Sequence, residues 1–210
     1  HSVVRAVKNR FGAVSELGVF RMTATGLETV PNPSQLFLSE RKSDAPGSVV
    51  LCSIEGSRPI LVEVQALVGT GAYGNAQRVT SGVDRQRLSL LLTVLEKRVG
   101  LHPTGEDVFV NVPGGVLVNE PAADLAVVAA VASSMRNQPV LPRVAVFGEV
   151  GLAGEIRGVT QAGLRVREAA QMGFTRCLLP LTNRGPDIAE PGCELIGVGT
   201  VAEALEGLFA

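Results

Sequence analysis

Tryptophan is absent and tyrosine occurs once in 210 residues, beside seven phenylalanines. Aromatic platforms on which single nucleic-acid strands stack are therefore scarce. The two histidines, His1 and His102, exclude a histidine-rich metal centre. Three cysteines, Cys52, Cys177 and Cys193, form no C-x-x-C pair. They read as reduced thiols, and a cytoplasmic location is expected. No apolar run reaches the ~18 residues that span a bilayer, and no signal peptide opens the chain, so no membrane partner is expected. No G-x-x-x-x-G-K-[ST] loop occurs; the nearest glycine-rich stretch, VGTGAYGNAQR, lacks the Lys-Ser/Thr pair that cradles phosphate. The net charge of −1 supplies no bulk attraction for polyanions, so any nucleic-acid contact must come from a local patch.

What is present is globular: 46% apolar and 19% charged residues, enough to bury a sizeable core. The abrupt start HSVVRAV has the look of a fragment of something longer. Residues 3–8 and 17–23 read as a strand pair, and 31–46, with Pro31, Pro33 and KSDAPGS, as a linker in which Asn32 or Ser34 can cap a short helical turn. A hairpin is expected over 48–55 and 58–68, followed by a polar loop, GTGAYGNAQRVTSGVD. The clearest helix is DRQRLSLLLTVLEKRVG: Leu88, Leu91, Leu92, Leu95 and Val99 share one face, Asp84 caps the start and Gly100 ends it.

DVFVNV and GVLVNE read as strands, and PAADLAVVAAVASSMRN as a helix of small residues with Pro121 at its first position. RVAVFGEV, EIRGV, RCLLP and CELIGVG read as further strands, with one helix capped by Thr160 and running to about Gly173 and another at TVAEALEGLF. Alternating strands and helices over 105–210 predict a layered α/β (α+β) domain.

FVNVPGGVLVNEPAADLAVVAAVASS, followed by FGEVGLAGEIRGVTQAGLRVREAA, resembles the proteolytic domain of the Lon family, whose fold is of the ribosomal protein S5 domain 2-like type. In that family a D-G-P-S-A-G turn delivers a serine nucleophile to a helix N-terminus, and a lysine farther on removes its proton. A serine hydroxyl needs such a base, and helix-terminal amides receive the oxyanion. Here Pro121, Gly148, Glu149, Leu152, Gly154 and Ile156 are kept. Ala122 occupies the serine position, Asp124 a glycine position, and Gly163, within one residue, the lysine position. The resemblance therefore implies the fold without the dyad. Ser133 and Ser134 are the substitute nucleophiles to weigh; mid-helix, they read as hydroxyls bonding their own backbone.

The pentapeptide KNRFG, with GVFRM, NPS, LFLSER, FVNVPGG, ADLA and FGEVGLAGEIR in register, resembles the C-terminal part of the RadA (Sms) family of bacterial DNA repair proteins, which carry a RecA-like ATPase. That resemblance divides the chain into the trailing hairpin of the ATPase plus linker, 1–40, and a Lon-like domain, 41–210. By spacing alone, Lys8 and Arg10 read as surface cations on a hairpin. The resemblance implies instead that Lys8, Asn9, Arg10, Phe11 and Gly12 form a motif whose two cations contact nucleotide bound by a neighbouring subunit. It further implies ATP and Mg2+, zinc at an N-terminal finger, DNA and RecA as partners, and a hexamer, all for a longer protein; no cofactor or metal is expected in this chain itself.

Arg78, Arg85 and Arg87, near Lys97 and Arg98, are candidate DNA contacts or simply a solvated helix face. GLAGEIRG reads as a tight turn, and Asp124 as a possible partner of Arg157. An active Lon-like serine peptidase and a plain protein-interaction module are the competing readings.

Overall fold

The computed structural model describes residues 2–5, 17–71 and 74–209, with side chains from Gly18 onward. The KNRFG motif lies outside the described residues. Near the N-terminus, β1 (Ser2–Arg5) pairs antiparallel with β2 (Leu17–Thr23), and β2 with β3 (Gly26–Thr29), so the expected strand pair carries a third strand.

Asn32 then caps α1 (Pro33–Leu38), accepting the amide of Gln35 at 3.1 Å. This helix lies in the segment read as a linker, yet it is built into the domain. Ser34 is buried; its Oγ accepts the Leu61 amide at 2.9 Å and donates to Glu168 at 2.6 Å. A boundary at residue 40 therefore falls within packed structure.

The expected hairpin forms as β4 (Ser48–Glu55) and β5 (Arg58–Thr70), turning at Gly56, where φ is +64°. The loop after it contains a strand that the sequence pattern did not show, β6 (Arg78–Ser81). Next come α2 (Arg85–Val94), capped by Asp84, a π-helical turn at Leu95–Val99, and β7 (Glu106–Asn111). Leu88, Leu91, Leu92 and Leu95 are buried, as their spacing predicts.

GVLVNE is not a strand. Val116 and Val118 are buried and Leu117 exposed, a strand-like alternation, but the ladder is missing, and Val118 instead donates to the Gly82 carbonyl at 2.8 Å. A turn at Pro121–Ala123 leads into α3 (Asp124–Arg136).

The remaining elements are β8 (Val144–Val146), β9 (Glu149–Val150), β10 (Ile156–Arg157), α4 (Ala162–Gln171), β11 (Arg176–Pro180), β12 (Glu194–Val198) and α5 (Val201–Leu208). Gln161, at φ +57°, precedes α4, so Thr160 is not its cap.

The central sheet runs β12-β11-β8-β4-β5-β7-β6. Its first four strands are parallel, β5 is antiparallel to both β4 and β7, and β6 returns parallel to β7. Ser48–Ser53 of β4 and Ile60–Val64 of β5 are buried without alternation, so both sheet faces are covered there. Helix α3 packs on one face, and α1 and α4 on the other.

Every residue of α3 from Asp124 to Ser133 is buried. A helix apolar all round belongs between layers, and α2 and α5 flank it on the side away from the sheet. The mixed α/β layering is the expected fold class.

Candidate functional site

The turn before α3 carries the position that the Lon resemblance gives to the serine, and the first turn of α4 the position it gives to the lysine. Ala122 is buried, and its carbonyl accepts the Gly148 amide at 2.9 Å; Leu125 returns a bond to the Gly148 carbonyl at 3.0 Å. The Ala123 amide is bonded to the Glu120 carbonyl at 3.1 Å, and the Asp124 amide to that of Pro121. Three successive amides at this helix entrance are thus engaged by the protein itself. An oxyanion site needs such donors free and aimed at the reacting oxygen. Gly163 sits in the first turn of α4, and a Cβ built there meets nothing within 4 Å. There is room for a side chain, but no base.

Two ion pairs flank the Pro121–Ala123 turn. Arg165, 1% exposed, meets Glu120 through two bonds of 2.7 Å, one to each carboxylate oxygen. Its remaining donors reach the carbonyls of Cys52 at 2.9 Å and Thr160 at 3.0 Å, and its guanidinium lies 5.6 Å from the centre of the Phe147 ring. Glu120 Oε1 also accepts the Ile54 amide at 2.8 Å and the Ser53 hydroxyl at 3.0 Å.

On the other side Asp124, 3% exposed, pairs with Arg87, not with Arg157 as the sequence allowed. Arg87 Nε donates to Oδ1 at 2.9 Å, Nη2 bonds Oδ2, and the Val150 amide reaches Oδ2 at 3.0 Å. Hydrogen bonding to Asp124, aided by the fields of Asp124 and Glu149, raises the Arg87 pKa above its ordinary value. The Arg87 guanidinium therefore stays charged at any physiological pH. Bidentate, hydrogen-bonded pairs of this kind are satisfied charges, not catalytic groups in waiting. The groove beside them, about 470 Å³, is lined by Asp84, Arg87, Val118, Glu120, Ala123 and Asp124.

The other candidates divide clearly. Arg87 is committed to Asp124. The Arg78 guanidinium is spent on carbonyls of the 103–106 turn, Thr104 at 2.7 Å among them, so it staples β6 to the start of β7. Arg85 is exposed and makes no ion pair with a described residue.

Ser133 and Ser134 do not bond their own backbone alone. Ser133 Oγ accepts the Gly47 amide at 2.8 Å and donates to the Gln138 carbonyl; Ser134 Oγ accepts the Val68 amide at 2.9 Å. The two hydroxyls tie α3 to β5 and to the residue before β4, and neither bonds a basic side chain among the described residues. The thiols are free and buried. Hydrogen bonding to Cys177, then burial, pushes the Cys193 thiol far above its ordinary range, which removes the thiolate a nucleophile needs. Among the described residues no cluster of His, Cys, Asp and Glu could hold a metal ion, and no helix is long and apolar enough to cross a membrane.

Sequence reasoning missed Glu120 and Arg165. A signal was available: Arg165 falls on the Ala162–Val166–Ala169 stripe that α4 buries, and an arginine in such a stripe needs an acidic partner.

Residues 64–197 match the family signature of the Lon protease (S16) C-terminal proteolytic domain. Relatives called "DNA repair protein RadA" include those of Halalkalibacterium halodurans, 50% identical over 98% of this chain and 45% of its own length, and Bacillus subtilis, 49% identical over 97% and 44%. That of Pseudomonas aeruginosa is 52% identical over 99% of this chain and 46% of its own length. The chain thus spans about half the length of the curated relatives it matches. It belongs to the Lon protease (S16) C-terminal proteolytic domain family, and it corresponds to the C-terminal part of RadA proteins.

Proposed function

We propose that this chain is a Lon-like domain turned from peptidase to scaffold within a RadA-type DNA repair ATPase. The observation that carries this reading is the state of the dyad site. The Lon resemblance puts Ala122 and, within one residue, Gly163 at the reacting positions; the helix-entrance amides are consumed, and the turn is pinned by the Glu120–Arg165 and Asp124–Arg87 pairs. A buried, fully hydrogen-bonded core of this kind supplies shape and rigidity without chemistry.

In the whole protein the domain serves as the platform of a hexameric ring, in keeping with closed-symmetry assembly. Lys8 and Arg10 of KNRFG contact the neighbouring subunit's nucleotide, and a cation there stabilises charge on the transferring phosphoryl group. This chain has no Walker A lysine and no C-x-x-C pair, so ATP with Mg2+, and zinc, belong to other parts of the protein. The DNA contact of this reading rests on Arg85, whose guanidinium bonds no described residue. RecA is the proposed functional partner, the setting being recombinational repair.

A fluorophosphonate probe is expected to leave the chain unmodified, and fluorogenic casein uncut. An adduct on any serine here overturns the scaffold reading. In the full-length protein, Lys8→Ala and Arg10→Ala are expected to abolish DNA-stimulated ATP turnover while light scattering still finds the ring; normal turnover removes the role of KNRFG.

A further inference from the structure

We propose that residues 30–41 form a rigid strap that makes the N-terminal sheet and the Lon-like domain one mechanical body. The joint is stiff by sequence. Val30-Pro31-Asn32-Pro33 contains only prolines and residues that precede them. A proline ring fixes its own φ, and its Cδ drives the preceding residue out of the helical region. Asn32 obeys this, with φ −128° and ψ 89°. The joint is also fastened on both sides. The Val30 amide donates to the Val19 carbonyl of β2 at 2.8 Å, and the Pro31 carbonyl accepts Arg58 Nη2 at 3.0 Å. Consecutive residues therefore bond the N-terminal sheet and the start of β5.

Beyond the joint, α1 fills a place that the central sheet leaves open. β7 pairs with β5 only from Gln65 onward, so the earlier part of that edge needs other cover. Pro33 and Ser34 are buried there. Ser34 Oγ takes the Leu61 amide at 2.9 Å and donates to Glu168 of α4 at 2.6 Å. Asn32 Nδ2 reaches Met172 Sδ, at the end of α4, at 3.5 Å. Phe37 packs on the turn at Gly114, where an added Cβ would lie 3.1 Å from its ring. At the far end Arg41 Nε donates to Ser48 Oγ at 2.8 Å, and that hydroxyl donates to Glu63 at 2.8 Å. The segment is thus held by β4, β5, α4 and the turn at Gly114. Its prolines lower the entropy lost in fastening it.

The same α4 carries Arg165, which holds Glu120. A displacement of the N-terminal sheet is therefore delivered to α4 and, through Arg165, to the turn before α3. In the scaffold reading, on which this last consequence rests, the strap passes rigid-body movement between the ATPase and its platform.

The test measures residual dipolar couplings of the 15N-labelled chain in a dilute alignment medium. The amides of β2 and β3 are expected to fit the alignment tensor of the central sheet. A Gly-Ser-Gly-Gly-Ser-Gly insertion between Val30 and Pro31 is expected to shrink the β2 and β3 couplings about threefold, as a flexible tether does, and to leave those of the central sheet unchanged. A separate tensor for the N-terminal sheet in the parent chain, or couplings indifferent to the insertion, overturns the strap. Ser34→Ala, read by native-state hydrogen exchange, is expected to speed exchange of the Leu61 amide about tenfold while the amides of β8 keep their protection. Unchanged Leu61 exchange overturns the part given to Ser34; should that variant unfold, the insertion still decides. None of these readouts involves peptidase or ATPase activity, so a failed strap leaves the scaffold reading standing, and a serine adduct leaves the strap standing.

Discussion

Replacing Arg165 with methionine removes the buried cation while keeping much of its volume. Four hydrogen bonds go with it: two to Glu120 and one each to the carbonyls of Cys52 and Thr160. Glu120 keeps the Ile54 amide and the Ser53 hydroxyl but loses its counter-charge. Breaking a buried pair from one side is destabilising by about 3–5 kcal/mol. The Glu120 side chain is 20% exposed, so some water reaches the orphaned carboxylate, and the expectation sits at the low end, about 3 kcal/mol.

The double variant Glu120→Gln, Arg165→Met carries no orphaned charge. Its loss should be smaller than that of Arg165→Met alone, with a coupling of about 2 kcal/mol between the sites. Urea unfolding followed by circular dichroism reads both quantities as midpoint shifts at constant slope. An Arg165→Met protein within about 0.5 kcal/mol of the parent, or strictly additive variants, would refute the view that this pair holds the turn in place.

Arg87→Ala should destabilise by about 2 kcal/mol, because it leaves Asp124, 3% exposed, with the Val150 amide as its remaining partner, whereas Arg85→Ala should leave unfolding unchanged; the same urea titration separates them. Gly47→Ala should cost more than about 2 kcal/mol, since φ is +82° and the new Cβ would lie 2.2 Å from the Ala66 carbonyl oxygen; a thermal melt shows it. At pH 8 the native chain should react slowly with Ellman's reagent and release all three thiols in guanidinium; the raised Cys177 and Cys193 pKa values keep the reactive thiolate scarce until pH climbs well past its ordinary range. Ala122→Ser with Gly163→Lys should fold yet leave casein uncut, because the amides of Ala123, Asp124 and Leu125 stay engaged; measurable turnover would show that the oxyanion site survives.

Periodic and capping signals were legible in the sequence because they act over a few residues. The leucine face of α2, the Asp84 and Asn32 caps and the β4–β5 hairpin all depend on neighbours near in the chain. GVLVNE misled for the same reason. Its alternation reports which side chains are buried, while strand status depends on a ladder partner that the fold does not supply. β6 was hidden because four residues in a polar loop become a strand only when β7 lies alongside. The lost dyad was visible as two residue types in a known pattern. What replaced it was not, since Arg87 meets Asp124 across 37 positions and Arg165 meets Glu120 across 45. Pairings at that range are products of tertiary structure, and the sequence offered only a buried-face arginine as a hint.

On the proposed scaffold reading, the two pairs also explain how a catalytic turn outlasts its chemistry. In an active dyad the turn must hold the nucleophile in place while leaving amides free for charge that appears only during reaction, and such preorganisation works against stability. Once the attacking oxygen is gone, nothing requires those amides to be free. Here they are closed by Glu120, Pro121 and Gly148 carbonyls, and carboxylates immediately before and after the turn anchor it to α4 and α2. The Asp124 carboxylate arises at the position where the peptidase pattern has glycine, so the residue that departs from the pattern is the one that supplies the new anchor. A site emptied of function and then left alone would show open amides and unpaired charge. This one shows neither among the described residues, where every buried side-chain nitrogen and oxygen has a partner, and that full satisfaction is what holds the turn rigid.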